Sequence, residues 1–173
     1  RGLAVSFQRD RDGPVSRALR GVDLSVGESE IHGLVGESGC GKTVTSTAIM
    51  GLLPAPPARI EGGSIVFDGR DLLGLSAEER RKVRGRQIAM VFQEPARYLN
   101  PSFRVGSQIT EMLGLHLGMN RREAEDRAAE LAGLVGLGGA RRALRAYPHE
   151  LSGGMRQRAM IAMAISCTPR MLI

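Results

Sequence analysis

Apolar and polar positions alternate over Leu3-Ala-Val-Ser-Phe7 and over Val22-Asp-Leu-Ser-Val26, the period-two signature of half-buried strands. Between them, residues 9–14 are polar and read as a loop or hairpin tip. Ile31-His-Gly-Leu-Val35 predicts a short apolar strand that runs into a glycine-rich stretch, with His32 held in the core. A helix is expected over residues 43–53, closed by Pro54, Pro56 and Pro57. Residues 62–69 read as a strand ending in Asp68-Gly69, a strong short hairpin signal. Ser76 with Glu79 three residues on predicts a capping box. Residues 88–92 form an apolar strand that ends at Gln93.

After Pro95 the period changes. Residues 105–117 and 121–135 carry the 3.6-residue pattern of amphipathic helices, with Glu123 and Arg127 spaced as an i,i+4 pair. Residues 136–139 break the second helix, and a further one is expected over residues 153–167. This predicts two lobes: residues 1–95, strand-rich and holding the glycine loop, and residues 96–168, helical. Residues 169–173 begin another strand.

Composition narrows the class. The 173 residues suffice for a real core, and 42% hydrophobic content is ordinary for a globular chain. The longest apolar stretch, residues 159–167, is too short to span a bilayer. No charged-then-apolar leader is visible, so the cytosol is the expected compartment. Cys40 and Cys167 fit no metal or redox spacing. The net charge of +6 raises nucleic acid, but the positive positions are spread along the chain and aromatics are 3% with no Trp; no nucleic-acid partner is expected. Positive charge is carried almost wholly by Arg; Lys occurs at Lys42 and Lys82 alone. At Lys42, therefore, a compact ammonium on a flexible stem is specifically used.

Lys42 ends the most informative segment, Gly36-Glu-Ser-Gly-Cys-Gly-Lys42-Thr43. Its spacing, between a strand and a helix, is that of a phosphate-cradling loop. The glycines Gly36, Gly39 and Gly41 permit close backbone approach. The loop amides, those of Glu37, Ser38 and Cys40 included, then face an anion together with the helix N-terminus. Lys42 would reach the β- and γ-phosphates and the Thr43 hydroxyl would hold Mg²⁺. A second segment, Leu151-Ser-Gly-Gly-Met-Arg-Gln-Arg158, opens a helix. Capping explains Ser152. It does not explain Gly153 and Gly154 in a first turn where glycine is costly; close approach of a phosphate does.

With both segments present in this order around Gln93, the chain resembles the ATP-binding subunit of ABC transporters: Walker A loop, Q-loop and signature motif. Val91-Phe-Gln-Glu-Pro95, Leu99-Asn-Pro101 and Tyr147-Pro-His-Glu-Leu151 are similar to the dipeptide, oligopeptide and nickel importer branch. The resemblance implies an α/β fold: a P-loop NTPase (RecA-like) core with an N-terminal antiparallel β subdomain and an inserted α-helical subdomain. It implies that Gly36, Glu37, Ser38, Gly39, Cys40, Gly41, Lys42 and Thr43 bind ATP and Mg²⁺, and that Gln93 senses the γ-phosphate and Mg²⁺. It further implies that Ser152, Gly153 and Gly154 contact ATP held by a second ABC ATPase subunit. Phe7 is the nearest match to the adenine-stacking aromatic.

The implied partners are that second subunit, transmembrane permease subunits and, indirectly, a solute-binding protein. The implied location is cytoplasmic, peripheral on the inner face of the membrane through the permease. The implied function is ATP-driven import of peptides or a related small solute, nickel among them. Met171-Leu-Ile173 is similar to the strand that leads, in the family, into two catalytic acids. Those acids are expected beyond Ile173, so the chain alone is expected to bind nucleotide and turn over little. Two other readings compete: a non-transport ABC ATPase acting on nucleic acid, and a non-catalytic regulatory remnant.

Overall fold

β1 (Leu3–Phe7) pairs antiparallel with β2 (Ser16–Val22) and with β3 (Ala58–Gly62), giving a three-stranded sheet in the order β2-β1-β3. The computed structural model describes residues 1–10 and 13–173, which divide into two units, Arg1–Arg80 and Arg81–Ile173. The β1–β2 connection is the polar loop read at residues 9–14; Arg11 and Asp12 lie outside the described residues.

β2 ends where the sequence predicted a strand to begin. Its place is fixed by pairing, with Phe7 opposite Ser16 and Leu3 opposite Val22, and two register shifts absorb the mismatch. At Asp23 the chain leaves the ladder, and its carboxylate accepts the Gly2 amide at 2.9 Å. β3 lies at the sheet edge, with Arg59 and Glu61 exposed.

Leu3, Val5 and Leu19 form the core of this unit with Ala48 of α1 (Lys42–Ile49), and Phe7, Val22 and Val44 pack against them. α1 is shorter than expected. The prolines do not end it: Gly51, at φ 61°, donates to Ala48 O and Leu52 donates to Thr47 O, both at 2.9 Å. That is a Schellman C-cap.

Residues 31–35 do not form the expected strand. Ile31 is fully exposed and Val35 is 92% exposed. An apolar strand is stable only with hydrogen-bonded neighbours, and none pairs with this segment among the described residues. His32 accordingly is not a core histidine; its Nδ1 lies 3.1 Å from Glu30 Oε1. The Gly27 amide, and then His32, hold the Glu30 carboxyl below its usual range.

The expected Asp68-Gly69 hairpin forms, joining β4 (Val66–Phe67) to β5 (Arg70–Asp71) with φ 51° and 74° at the two turn residues. α2 (Ala77–Val83) opens with the expected box: Glu79 Oε2 accepts the Ser76 amide at 2.9 Å and Ser76 Oγ accepts the Glu79 amide at 3.2 Å.

In the second unit β6 (Ile88–Ala89) pairs in parallel with β7 (Met171–Leu172), and Val91 N to Ile173 O at 2.8 Å continues the pairing. Between them run α3 (Pro95–Tyr98), α4 (Val105–Leu117), α5 (Arg121–Leu134), α6 (Ala140–Arg145) and α7 (Gly153–Ile165). α4 matches its expected span, and α5 stops one residue early.

Val105, Ile109 and Leu113 recur at i,i+4 on α4 and meet Ala124, Ala128, Leu131 and Ala132 of α5 and Ala159 and Ala162 of α7. Small residues on two of the three faces let these helices approach closely. Met155 and Met163 pack against this core, as read from the sequence. Glu123 does not pair with Arg127. It closes a capping box with Asn120 (2.9 and 3.1 Å), and Arg127 takes Glu130 at 2.9 Å. Satisfying an end-of-helix amide outweighs one exposed ion pair.

Candidate nucleotide-binding residues

In the first unit the glycine-rich loop wraps around its own lysine. Lys42 Nζ donates to Gly36 O and to Glu37 O, both at 2.7 Å, and stands 3.4 Å from Cys40 Sγ. Cys40 N to Glu37 O, 3.3 Å, closes the turn through Ser38 and Gly39. Gly41 is a position here that glycine must fill. Its φ is +99°, and a Cβ would come within 2.6 Å of Leu19 Cδ2 and 3.2 Å of Ala18 O.

Gly41 is also the N-cap of α1, and no side chain caps that helix. Its first-turn amides have no side-chain cap among the described residues, and the positive end of the helix lies behind them. Thr45 ties the helix start down: its amide (2.8 Å) and hydroxyl (3.0 Å) both donate to Gly41 O. Glu37, Ser38 and Thr43 are exposed. Phe7 is half-buried against the sheet core at the end of β1.

The second unit holds Gln93, Ser152, Gly153 and Gly154. Gln93 is exposed. Phe92 before it stacks on Tyr98, centroids 3.8 Å apart, and Arg97 bridges to Glu94 at 2.7 Å. The Phe92 amide donates to Met160 Sδ at 3.2 Å, so the segment carrying Gln93 is fastened to α7.

Ser152 caps α7, its Oγ accepting the Met155 amide at 3.3 Å. Gly153 and Gly154 are exposed, and a Cβ at either would meet nothing within 4 Å among the described residues. The fold of this chain therefore does not require glycine at either position.

Two residues that act on these segments were not read from the sequence. Gln108 holds residues 100–103 through Asn100 N, Asn100 O and Phe103 O, each at 3.0 Å. Glu150 Oε2 accepts the Tyr147 amide at 2.6 Å. A Tyr-x-x-Glu spacing ahead of the second motif was the available signal for Glu150. Burial, then Arg86, lowers the His116 pKa. No group of three or more His, Cys, Asp or Glu that could hold a metal occurs among the described residues.

Residues 19–173 match the ABC transporter family, and the chain belongs to that family. It is 51% identical over 159 residues to the probable peptide ABC transporter ATP-binding protein y4tR of Sinorhizobium fredii (strain NBRC 101917 / NGR234), covering 92% of this chain and 48% of that protein. It is 47% identical over 171 residues to the oligopeptide transport ATP-binding protein OppD of Bacillus subtilis (strain 168), covering 99% and 47%. The chain thus spans about half the length of the curated relatives it matches.

Among solved structures, the dimeric post-hydrolysis state of the ATP-binding cassette MJ0796 bound to ADP and Pi superposes with a TM-score of 0.87 at 25% identity, over 99% of this chain and 70% of that one. The fold is that of an ABC ATPase cassette, the α/β P-loop NTPase architecture expected from the sequence. Among the described residues, no helix is long and apolar enough to cross a membrane.

Proposed function

We propose that this chain is the nucleotide-binding part of an ATPase that powers import of peptides or a related small solute, nickel among them, through a membrane permease. The observation that carries the reading is the loop closed on Lys42. An ammonium held by two neutral carbonyl oxygens gains by exchanging them for anionic phosphate oxygens, because attraction between opposite charges is then added to the hydrogen bonds. Gly36, Glu37, Ser38, Gly39 and Gly41 offer backbone amides to the β- and γ-phosphates, Cys40 joins them by giving up its bond to Glu37 O, and the uncapped start of α1 adds its own. The relatives named as peptide transport proteins support the choice of solute class.

The Thr43 hydroxyl and the Gln93 side-chain oxygen are hard donors that suit Mg²⁺. When bound, that ion neutralises phosphate charge. Ser152 Oγ accepts from Met155 and keeps its O–H to donate, as a phosphate of a nucleotide held by a second ATPase subunit requires. Gly153 and Gly154 leave room for that phosphate. Phe7 is assigned to the adenine. The permease, and through it a solute-binding protein, complete the proposed assembly at the cytoplasmic face of the membrane.

The test uses the intact protein with a non-hydrolysable ATP analogue. The parent should self-associate, or associate with its paired ATPase, only when the analogue is present. Gly153→Val should still bind the analogue yet stay apart. Association without nucleotide, or a variant that associates like the parent, contradicts the reading.

A further inference from the structure

Ser152, Gly153 and Gly154 are exposed, so whatever fixes their position must act from behind. The chain reaches them from α6 through residues 146–151, and each step of that passage is fastened. Ala146 O accepts the Val105 amide at 3.0 Å, which fixes the passage to the first residue of α4. Glu150 Oε2 accepts the Tyr147 amide at 2.6 Å, and the Glu150 amide returns a bond to Tyr147 O at 3.0 Å. The two bonds clasp the single turn Pro148–Glu150 from both ends. The Leu151 amide bonds Pro148 O at 3.3 Å, and the Leu151 side chain, 6% exposed, is anchored in the helical core. The Tyr147 ring has contacts of its own: His149 stacks on it at 5.6 Å, and the Arg104 guanidinium lies 5.8 Å from its centroid.

The choice of partner for Glu150 is informative. From residue 131 to residue 173 the chain has six arginines, at 141, 142, 145, 156, 158 and 170, and one acid, Glu150. A surface carboxylate in that setting would ordinarily pair with a guanidinium. Glu150 instead holds a backbone amide, a short charge-assisted bond. One residue, Leu151, separates it from the Ser152 cap, and that residue is buried.

We infer that Glu150 is a positioning residue: by holding Tyr147 N it sets the place of Ser152, Gly153 and Gly154, and so the approach of the second subunit's nucleotide. The inference rests on the proposed role of Ser152. Glu150 touches no nucleotide; it acts through the turn.

The test compares Glu150→Ala with Glu150→Gln in the intact protein, since Gln keeps an oxygen acceptor and loses the charge. In the folded parent, hydrogen exchange should show the Tyr147 amide protected; an unprotected amide there overturns the inference without any variant. Glu150→Ala should exchange at Tyr147 on the order of tenfold faster, the size expected for one lost bond to a charged group. Its nucleotide-dependent association and turnover should fall by about the same factor, while MgATP affinity of the separated subunit stays within about twofold. Glu150→Gln should recover most of both losses.

Faster exchange at Tyr147 with unchanged association makes the turn merely structural and overturns the inference. Equal losses in Ala and Gln overturn it too. Neither result touches the reading of the phosphate loop, which fails separately if Lys42→Ala keeps its MgATP affinity.

Discussion

Helices α1 and α7 both start at glycine, and they begin in opposite ways. α1 follows Gly41, which sits at φ +99° against Leu19 and has no side chain capping the helix behind it. α7 follows Ser152, which caps its own helix, and its glycines at 153 and 154 are surrounded by open space. In the first unit glycine is demanded by the chain's own backbone and packing. At Gly153 and Gly154 nothing among the described residues demands it, and the proposed phosphate contact is what gives those glycines a role. One start leaves its amides without a side-chain cap among the described residues; the other has satisfied an amide and keeps a hydroxyl proton and free volume. Glycine identity alone would have made the two sites look alike.

The comparison can be broken most forcefully at Gly41. Gly41→Ala adds a left-handed backbone penalty and a clash with Leu19 Cδ2, together about 2–4 kcal/mol. Urea denaturation should register that loss, and MgATP binding should go with it. Gly154→Ala sharpens the contrast by reversing the sign. Nothing stands near its Cβ, and alanine is the better helix former, so the fold should hold or gain up to about 0.5–1 kcal/mol. Association with the second subunit should weaken nonetheless. If Gly41→Ala and Gly154→Ala change stability alike, the distinction between the two starts is wrong.

The smallest effect concerns pH. Burial lowers the His116 pKa, with Arg86 adding to it. The unfolded chain therefore binds this proton more readily, and stability should decline as pH falls below about 6.5. Melting temperatures taken from pH 7.5 to 5 should show a shallower slope for His116→Gln than for the parent. An identical slope would remove His116 from the account.

What could be read ahead of the structure was what is written locally. β1, α4 and α5 follow from repeats at two and at three to four positions. The Asp68-Gly69 turn and the Ser76–Glu79 box follow from side chains that bond their own backbone. The glycine-rich loop stood out because its spacing suits a phosphate, and its role stays with the proposal.

The misreadings came from partners distant in the chain. β2 took its register from β1, with bulges no pattern announces. Residues 31–35 had a strand's composition but no ladder to join. Phe92 meets Met160 across 68 residues, and Glu150 works through a proline-containing turn whose geometry sequence alone does not disclose.

The central claim is that the loop around Lys42 holds a nucleotide by its phosphates. Isothermal titration of MgATP into the parent and into Lys42→Ala tests it most directly. The account predicts saturable binding by the parent and its loss in the variant, with circular dichroism unchanged. Equal affinity in the two proteins, or no binding by a folded parent, would contradict it.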